Sequence, residues 1–416
     1  MRPRPNKKWQ PPPRWIVGVV VVEFLLAAAI FGMRPMVSYR ALAMGASPAE
    51  IGLLASSFAL LALVLAVPLG WSVDRSGERI FIIAGIVLVA LSAAATLLAD
   101  DLLGLAASQA IMGAGQLSVV IGSHTLIANH GTAAGRIDRF GVYMSMAALG
   151  RAIGPVAGTM IASSDGTVAA TNQVFVAGAA TAMAALVVGA LIPSSSRPRS
   201  PTDVPPSRAR VRDALRRPGM RPALMAGIVV ISSVTVLVAY LPAYGVERSL
   251  PPESVGLALA ALALSQVVAR VNLGIVVRRL GHAFATAGSM VLAAVALPLL
   301  SLPLSDLSLI LVMAVVGAGL GLGQPLSLVW FATMTPHEIR GVVMGVRTTG
   351  NQVGQLCLPA VAGTVAGPAG VVGVAWCVSL LLLVAAADVA RSRHTLDHAS
   401  SDTRATSREA GGRTDG

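Results

Sequence analysis

Residues 70–79 read Gly-Trp-Ser-Val-Asp-Arg-Ser-Gly-Glu-Arg and separate two apolar runs, 51–69 and 80–99. At about 1.5 Å of rise per residue, a helix over either run is about long enough to cross the hydrocarbon core of a bilayer. The charged segment between them is therefore predicted to form a turn at a membrane face. Its glycines let the backbone turn, and an Asp beside Arg side chains can make charge-assisted hydrogen bonds to a neighbouring helix end.

This segment resembles the loop between helices 2 and 3 of the major facilitator superfamily of secondary transporters. That loop carries a glycine, then Asp-Arg, then a glycine and basic residues. The matching positions are Gly70, Asp74, Arg75, Gly77 and Arg79, whereas Glu78 stands where the family usually has a basic residue. We expect the hydrogen bonds of the segment's Asp and Arg side chains to form a latch that holds one conformational state. The alternative is an ordinary short cytoplasmic loop, in which the arginines set the orientation of the chain in the membrane and the glycines allow the backbone to turn.

A second copy of the segment begins at Gly274, 204 residues after Gly70, and reads Gly-Ile-Val-Val-Arg-Arg-Leu-Gly. The same offset pairs Pro48 with Pro252, Gly52 with Gly256, Gly113 with Gly317, Gly115 with Gly319, Arg136 with Arg340, Gly141 with Gly345, Gly150 with Gly354 and Pro155 with Pro359. This register predicts two related halves, as in transporters built from parallel repeats. Arg278 replaces Asp74, so the latch is expected to be asymmetric.

The composition is that of a polytopic membrane protein. Of the 416 residues, 55% are hydrophobic and 12% are charged, which is more apolar than soluble domains are. A net charge of +12 would suggest nucleic acid in a soluble protein. Here the arginines concentrate between alternate apolar runs, which indicates that they set the orientation of the chain in the membrane and contact anionic lipid. We therefore expect a bilayer and no nucleic acid as partner.

Apolar runs of about 19 to 25 residues predict an all-α membrane protein with twelve transmembrane helices in two six-helix pseudo-symmetric halves, the fold of the major facilitator superfamily. The predicted spans are 15–38, 50–71, 80–99, 103–127, 141–164, 173–192, 221–243, 254–276, 284–302, 307–330, 342–366 and 370–390. The predicted division is a basic cytoplasmic arm at 1–14, an N-terminal bundle at 15–192, a cytoplasmic linker at 193–220, a C-terminal bundle at 221–390 and a disordered cytoplasmic tail at 391–416.

The distribution of charge predicts that both termini are cytoplasmic and that the chain lies in the plasma membrane. Basic residues on the side of the termini are Arg2, Arg4, Lys7, Lys8, Arg14, Arg75, Arg79, Arg136, Arg139, Arg278, Arg279 and Arg340. The other side carries Asp100, Asp101, Asp165, Glu253 and Asp306, with Arg40 and Arg248 as exceptions. We expect the first apolar stretch to be a span and no cleaved signal, because it is longer than a typical signal core.

Motifs of enzymes are not found in the sequence. Cys357 and Cys377 both fall in apolar runs, which implies neither a disulfide framework nor a metal knuckle. The chain has no P-loop, nucleotide fingerprint, metal cluster or nucleophile elbow. We therefore predict no catalytic residue, cofactor or metal, and no ATP-driven transport by this chain alone.

The fifth span resembles the fifth-helix motif of the superfamily's proton-coupled antiporters. The matching residues are Gly150, Gly154, Pro155 and Gly158, with Thr159 where a further glycine is usual. Glycines four apart line one helix face and permit close packing, and a proline frees a carbonyl and kinks the helix. The resemblance implies export; the alternative is an ordinary packing face.

Ionisable residues inside spans are functional candidates, because each costs about 2.5 to 3.5 kcal/mol on insertion scales. Glu23 lies well inside the first span, and Arg34 follows on the same face, close to three helical turns later. Glu23 is the candidate for the group that exchanges a proton, since a buried carboxyl responds to nearby charge. The alternative is a structural carboxylate that is paired with an arginine or hydrogen-bonded to another helix. Arg34 either contacts substrate or extends to the outer headgroups.

Further candidates for the substrate cavity lie on other spans. They are Gln109, Gln116 and His124 in span 4, Arg151 in span 5, Gln266 and Arg270 in span 8, Gln324 in span 10 and Asn351 in span 11. Proton-using family members often have an arginine where this chain has Gln109, a departure from the antiporter pattern. His124 either titrates near neutral pH or is a satisfied polar residue. The amides are either ligands or helix-packing contacts.

Three arginines, Arg151, Arg270 and Arg347, favour an anionic or carboxylated substrate if they point inward, or else pair with Glu23. For Arg347 the alternative is a place at the cytoplasmic interface. The function predicted is proton-coupled export of a small organic solute by alternating access, by a protein expected to be a monomer. The alternatives are proton-coupled uptake of an organic anion or metabolite, a membrane sensor that does not transport, and a polytopic enzyme.

Overall fold

The computed structural model describes residues 14–129, 133–162, 168–192, 216, 219–334 and 340–392. The first half contains α1 (Arg14–Ala43), α2 (Pro48–Ser76), α3 (Glu78–Leu97), α4 (Leu102–Asn129), α5 (Ala133–Ile161) and α6 (Val168–Ala190). The second half contains α7 (Met220–Glu247), α8 (Pro252–Val271), α9 (Leu273–Leu280), α10 (His282–Ala296), a 3-10 turn (Leu297–Ser301), α11 (Asp306–Gly321), α12 (Gly323–Met334) and α13 (Arg340–Arg391). Almost all of the predicted terminal arm, linker and tail lies outside the described residues.

The predicted all-α, twelve-span fold in two halves is confirmed. Ten segments of the described chain are long and apolar enough to cross a membrane. The other two predicted spans correspond to α5 and to the part of α13 before Gly370, where the backbone leaves helical geometry. Span 8 is divided into α8 and α9 at Asn272, whose side chain donates to the Val268 carbonyl; such local bonds compete with the helix.

Both halves use the same local structures at equivalent positions. Pro48 and Pro252 are the first residues of α2 and α8, a place where proline loses no hydrogen bond. Gly77 and Gly281 have φ values of +86° and +79° and end α2 and α9. The predicted turn over 70–79 is wrong in extent, because α2 continues through Ser76 and α3 begins at Glu78. Only Gly77 leaves the helix, in a conformation that favours glycine.

The glycines predicted on the fifth span pack directly against the backbone of α1. A Cβ atom at Gly154 would lie 2.5 Å from the Ala28 carbonyl oxygen and 2.9 Å from the Gly32 nitrogen. One at Gly150 would lie 2.5 Å from the Phe24 carbonyl oxygen, and one at Gly158 2.8 Å from that of Gly32. Only glycine allows this separation, so these residues determine how α5 lies on α1.

We expect Gly154→Leu to destabilise the protein by about 1 to 3 kcal/mol, since the added side chain must push α5 away from α1. The matched control is Gly141→Leu in the same helix, where a Cβ atom would meet nothing within 4 Å. Thermal unfolding in detergent measures both variants. Equal loss of stability in the two would contradict the assigned packing.

Candidate functional site

Glu23 lies on α1 where α5 packs against it. Its side chain is 6% exposed, and Tyr143 of α5 donates its hydroxyl to Glu23 Oε2 at 2.6 Å. Tyr143 is itself 1% exposed. The sequence prediction missed Tyr143, although it precedes Arg151 by about two helical turns and so shares its face of α5.

Two further side chains surround this pair. The Arg151 guanidinium interacts electrostatically with Glu23 and with Tyr143, and its Cζ atom lies 5.8 Å from the centre of the Phe31 ring. The His124 ring meets the Tyr143 ring edge-on, with centroids 5.2 Å apart. Its Nε2 atom is buried and has no hydrogen-bond partner within the described part of the chain. Among the described residues Glu23 thus has a phenol donor on another helix, as its structural alternative predicts, and a cation nearby that interacts with it electrostatically.

Arg270 of α8 brings a second positive charge from the other half. It donates to Gln266 Oε1 and to the Gly321 carbonyl oxygen, each at 3.3 Å. Arg151 interacts electrostatically with it across the boundary between the halves. We call Glu23, His124, Tyr143, Arg151, Gln266 and Arg270 the central cluster. It combines one carboxylate with two guanidinium groups, so it is suited to bind an anion or exchange a proton.

Arg34 lies deeper along α1, beyond Glu23. It is 8% exposed, and its Cζ atom lies 4.2 Å from the centre of the Phe58 ring. With Gln109 it lines a small cavity whose far wall is Val238 and Ala239 of α7. The alternative in which Arg34 extends to the headgroups is therefore wrong: α1 continues to Ala43, and Phe58 covers the guanidinium.

Arg347 forms a separate cluster in the second half. It donates to Gln324 Oε1 at 2.9 Å and to Ser327 Oγ at 3.0 Å, and Gln324 Nε2 donates to the Gly227 carbonyl oxygen at 2.7 Å. Arg347 is 8% exposed, so its side chain lies inside the bundle, and its alternative place at the cytoplasmic interface stays a prediction. The side chain turns inward onto α12. Asn351, one turn further along α13, is buried beside it.

The remaining candidates lie outside these clusters. Gln116 is half-buried on α4. The side chains of Asp74 and Arg75 lie outside the described residues, whereas Arg79 donates to the Ala190 carbonyl oxygen at the end of α6. Among the residues that the structure describes, no group of His, Cys, Asp or Glu is placed to hold a metal ion.

The side of the bundle where α1 ends, here called the distal side, is closed by contacts between the halves. The Tyr240 hydroxyl lies 2.8 Å from the Pro48 carbonyl oxygen and 3.4 Å from that of Pro359. A Cβ atom at Gly256 would lie 3.0 Å from the Pro155 carbonyl oxygen, and Gly52 meets Pro359 in the same way. These two close approaches are related by the offset of 204 residues that the sequence shows.

Contacts on the distal side also account for the position of Arg40, a basic residue that is an exception in the charge distribution. Arg40 is 4% exposed. It donates to Asn172 Oδ1 at 2.8 Å and to the Ala99 carbonyl oxygen at 3.0 Å. Arg40 therefore binds carbonyl groups just past the end of α3 and ties α1 to α6. The sequence did not predict this structural role.

Comparisons with known proteins agree with this architecture. The Major Facilitator Superfamily model matches residues 19–356 and, in a second match, 250–410. No curated protein matches the sequence significantly.

Solved structures with the same fold include three transporters. A bacterial homologue of the human lysosomal transporter Spinster, solved inward-facing and unoccupied, is 14% identical with a TM-score of 0.69, over 94% of this chain and 98% of that one. The nucleoside transporter NupG is 14% identical with a TM-score of 0.73, over 92% and 99%. The peptide transporter POT is 14% identical with a TM-score of 0.76, over 93% and 96%.

We expect Tyr240→Phe to open the distal side more often, because one hydroxyl contact between the halves is lost. A cysteine at Ser38, which lines the cavity beside Arg34, reports this opening once Cys357 and Cys377 are replaced by alanine. Loss of one hydrogen bond predicts labelling by a membrane-impermeant thiol reagent from the distal side that is roughly two- to tenfold faster.

The matched control is Tyr244→Phe, one turn further along α7. The Tyr244 hydroxyl is buried and has no hydrogen-bond partner within the described part of the chain. Equal labelling rates in the two variants would contradict the role given to Tyr240.

Proposed function

Because the chain belongs to the Major Facilitator Superfamily, and is thus a transporter rather than an enzyme, we propose that it exports a small organic solute across the plasma membrane in exchange for protons. Glu23 carries the proton. The observation that supports this proposal is a buried carboxylate that accepts a hydrogen bond from Tyr143 and interacts with Arg151. A proton is the ligand that such a group can bind and release while the bundle keeps its fold.

Protonation of Glu23 changes the forces between α1 and α5. The ionised carboxylate attracts Arg151 and accepts the Tyr143 hydrogen bond, and a proton removes that negative charge. Both partners sit on α5, whose glycines hold it against α1. A change in charge therefore acts on the contact that positions the two helices, which gives the proton a route to the equilibrium between outward and inward states.

Export is supported by the resemblance of the α5 motif to antiporters and by its place in the structure. Gly150 of α5 packs against Phe24, the residue after Glu23, and Gly154 and Gly158 continue the same contact along α1 at Ala28 and Gly32. A helix contact made of backbone, with Pro155 inside it, can bend with little side-chain repacking. The glycine motif and the Glu23 carboxylate therefore lie at the same contact between α1 and α5.

A second candidate function is proton-coupled uptake of an organic anion, and the excess positive charge favours it. Arg151 and Arg270 carry like charges and repel each other. Glu23 is the carboxylate that the central cluster places against these two positive charges. An anion bound between the arginines repels the Glu23 carboxylate and so favours its protonation. Solute and proton would then bind together and move in the same direction.

The sign of proton movement separates the two functions. Solutes are first selected by counterflow into proteoliposomes from a panel of cationic, neutral and anionic compounds. A selected solute is then added across an imposed pH gradient with a pH-sensitive dye inside. Protons moving against the solute support export by exchange, and protons moving with an anion support uptake. Solute flux without proton movement would contradict both.

We expect Glu23→Gln to abolish accumulation driven by a pH gradient while counterflow continues, because glutamine keeps the size of the side chain but binds no proton. Glu253→Gln, which alters a carboxylate in the first turn of α8, is the control and should keep both activities. Full pH-driven accumulation in Glu23→Gln would remove this residue from proton coupling.

A further inference from the structure

The second half contains a counterpart of the Glu23 site from which the carboxylate is missing. At the offset of 204 residues, Glu23 corresponds to Gly227 and Tyr143 corresponds to Arg347. In the first half the donor on α5 binds the carboxylate on α1. In the second half the donor on α13 is a guanidinium, and α7 offers it no side chain at the corresponding position.

The hydrogen bonds of Arg347 leave its charge without a balancing anion in the described part of the chain. Its acceptors there are Ser327 Oγ and the Oε1 and carbonyl oxygens of Gln324, which are all neutral. The bonds use Nε and Nη2, and the Nη1 group takes no part in them. A buried guanidinium with neutral partners is costly inside a membrane, so a ligand that neutralises it is favoured.

The position of the missing side chain is filled by the Ser327 hydroxyl, which must rotate aside when a carboxylate binds there. A Cβ atom at Gly227 would lie 2.9 Å from Ser327 Oγ and 3.7 Å from Asn351 Oδ1. The Asn351 Oδ1 atom is buried and has no hydrogen-bond partner in the described residues. Rotation of this amide by a half-turn would present its NH₂ group instead, so Asn351 can donate to an anion here.

We propose that a carboxylate group of the transported solute binds at this position, between Arg347, Ser327 and Asn351. It occupies in the second half the place that the Glu23 side chain occupies in the first. This inference rests on the proposed transport function and specifies its substrate class, an organic solute with a carboxylate group. When a carboxylate displaces Ser327 and Gln324 as acceptors of Nε and Nη2, the planar guanidinium can bind it with two parallel donors, and the freed Ser327 hydroxyl can supply a third.

Acetate is the simplest probe, because it has the size of the carboxyl end of a glutamate side chain. The full chain in phosphatidylcholine nanodiscs is titrated with sodium acetate at constant ionic strength, with sodium chloride as the balancing salt. We expect acetate to raise the unfolding temperature of the wild type, since a ligand that binds only the folded state stabilises it. Arg347→Gln should weaken the apparent affinity about tenfold or more. Arg248→Gln, outside both clusters, should respond as the wild type does.

A second pair of variants supplies the carboxylate from the chain itself. Gly227→Asp should unfold at a higher temperature than Gly227→Asn, which adds a side chain of nearly the same size and shape near Ser327 without the charge. Gly227→Asp should also lose the response to acetate, because its own carboxylate fills the site. If Gly227→Asp fails to fold, the acetate titration of Arg347→Gln still tests whether the carboxylate binds at this position.

Three results would overturn the inference: equal stabilisation of the wild type by acetate and chloride, an unchanged acetate response in Arg347→Gln, or stabilisation by inorganic phosphate or phosphatidylglycerol without stabilisation by acetate. The last would identify a phosphate or a lipid headgroup as the occupant. Glu23→Gln should keep the acetate response. Loss of proton coupling in that variant with binding intact therefore tests the transport mechanism separately from this site.

Discussion

The close approach of α5 to α1 is the constraint on which the candidate site depends. The Gly154 and Gly32 backbones meet at a distance that no side chain permits. This contact carries Tyr143 and Arg151 to Glu23, a residue that would otherwise be an isolated carboxyl in a hydrocarbon environment. Burial of Glu23 is tolerable because the same helix that seals it also supplies a hydrogen-bond donor and a positive charge. Packing and charge are thus parts of one arrangement.

The two halves use one backbone plan for different electrostatic purposes. Gly113 and Gly317 approach the carbonyl groups of Phe58 and Leu262, pairs that are again 204 residues apart. On this shared frame, the first half places Glu23 and the second half places Arg347. A symmetric fold with asymmetric charges is well suited to a transporter, because the halves can move as similar bodies while each binds a different ligand.

Much of the fold could be predicted from the sequence, because span length, repeats and charge distribution follow from the bilayer. The repeat predicted the equivalence of Gly52 with Gly256, which the close contacts at the distal side bear out. The partners of the site could not be read in this way. Tyr143 looks like any aromatic residue in a span until α5 is placed on α1, and Arg40 shows its partners only when α3 and α6 are next to it. For Arg347 the sequence leaves two places open, inside the bundle or at the cytoplasmic interface, and only the packing of α13 against α12 brings it to Gln324.

The central claim is that Glu23 binds and releases a proton in the folded protein. Infrared difference spectroscopy of the reconstituted protein between acidic and alkaline pH tests it without knowledge of the solute. The account predicts a carbonyl-stretching band from a protonated buried carboxyl group, present in the wild type and absent in Glu23→Gln. Identical difference spectra for the two proteins would contradict it.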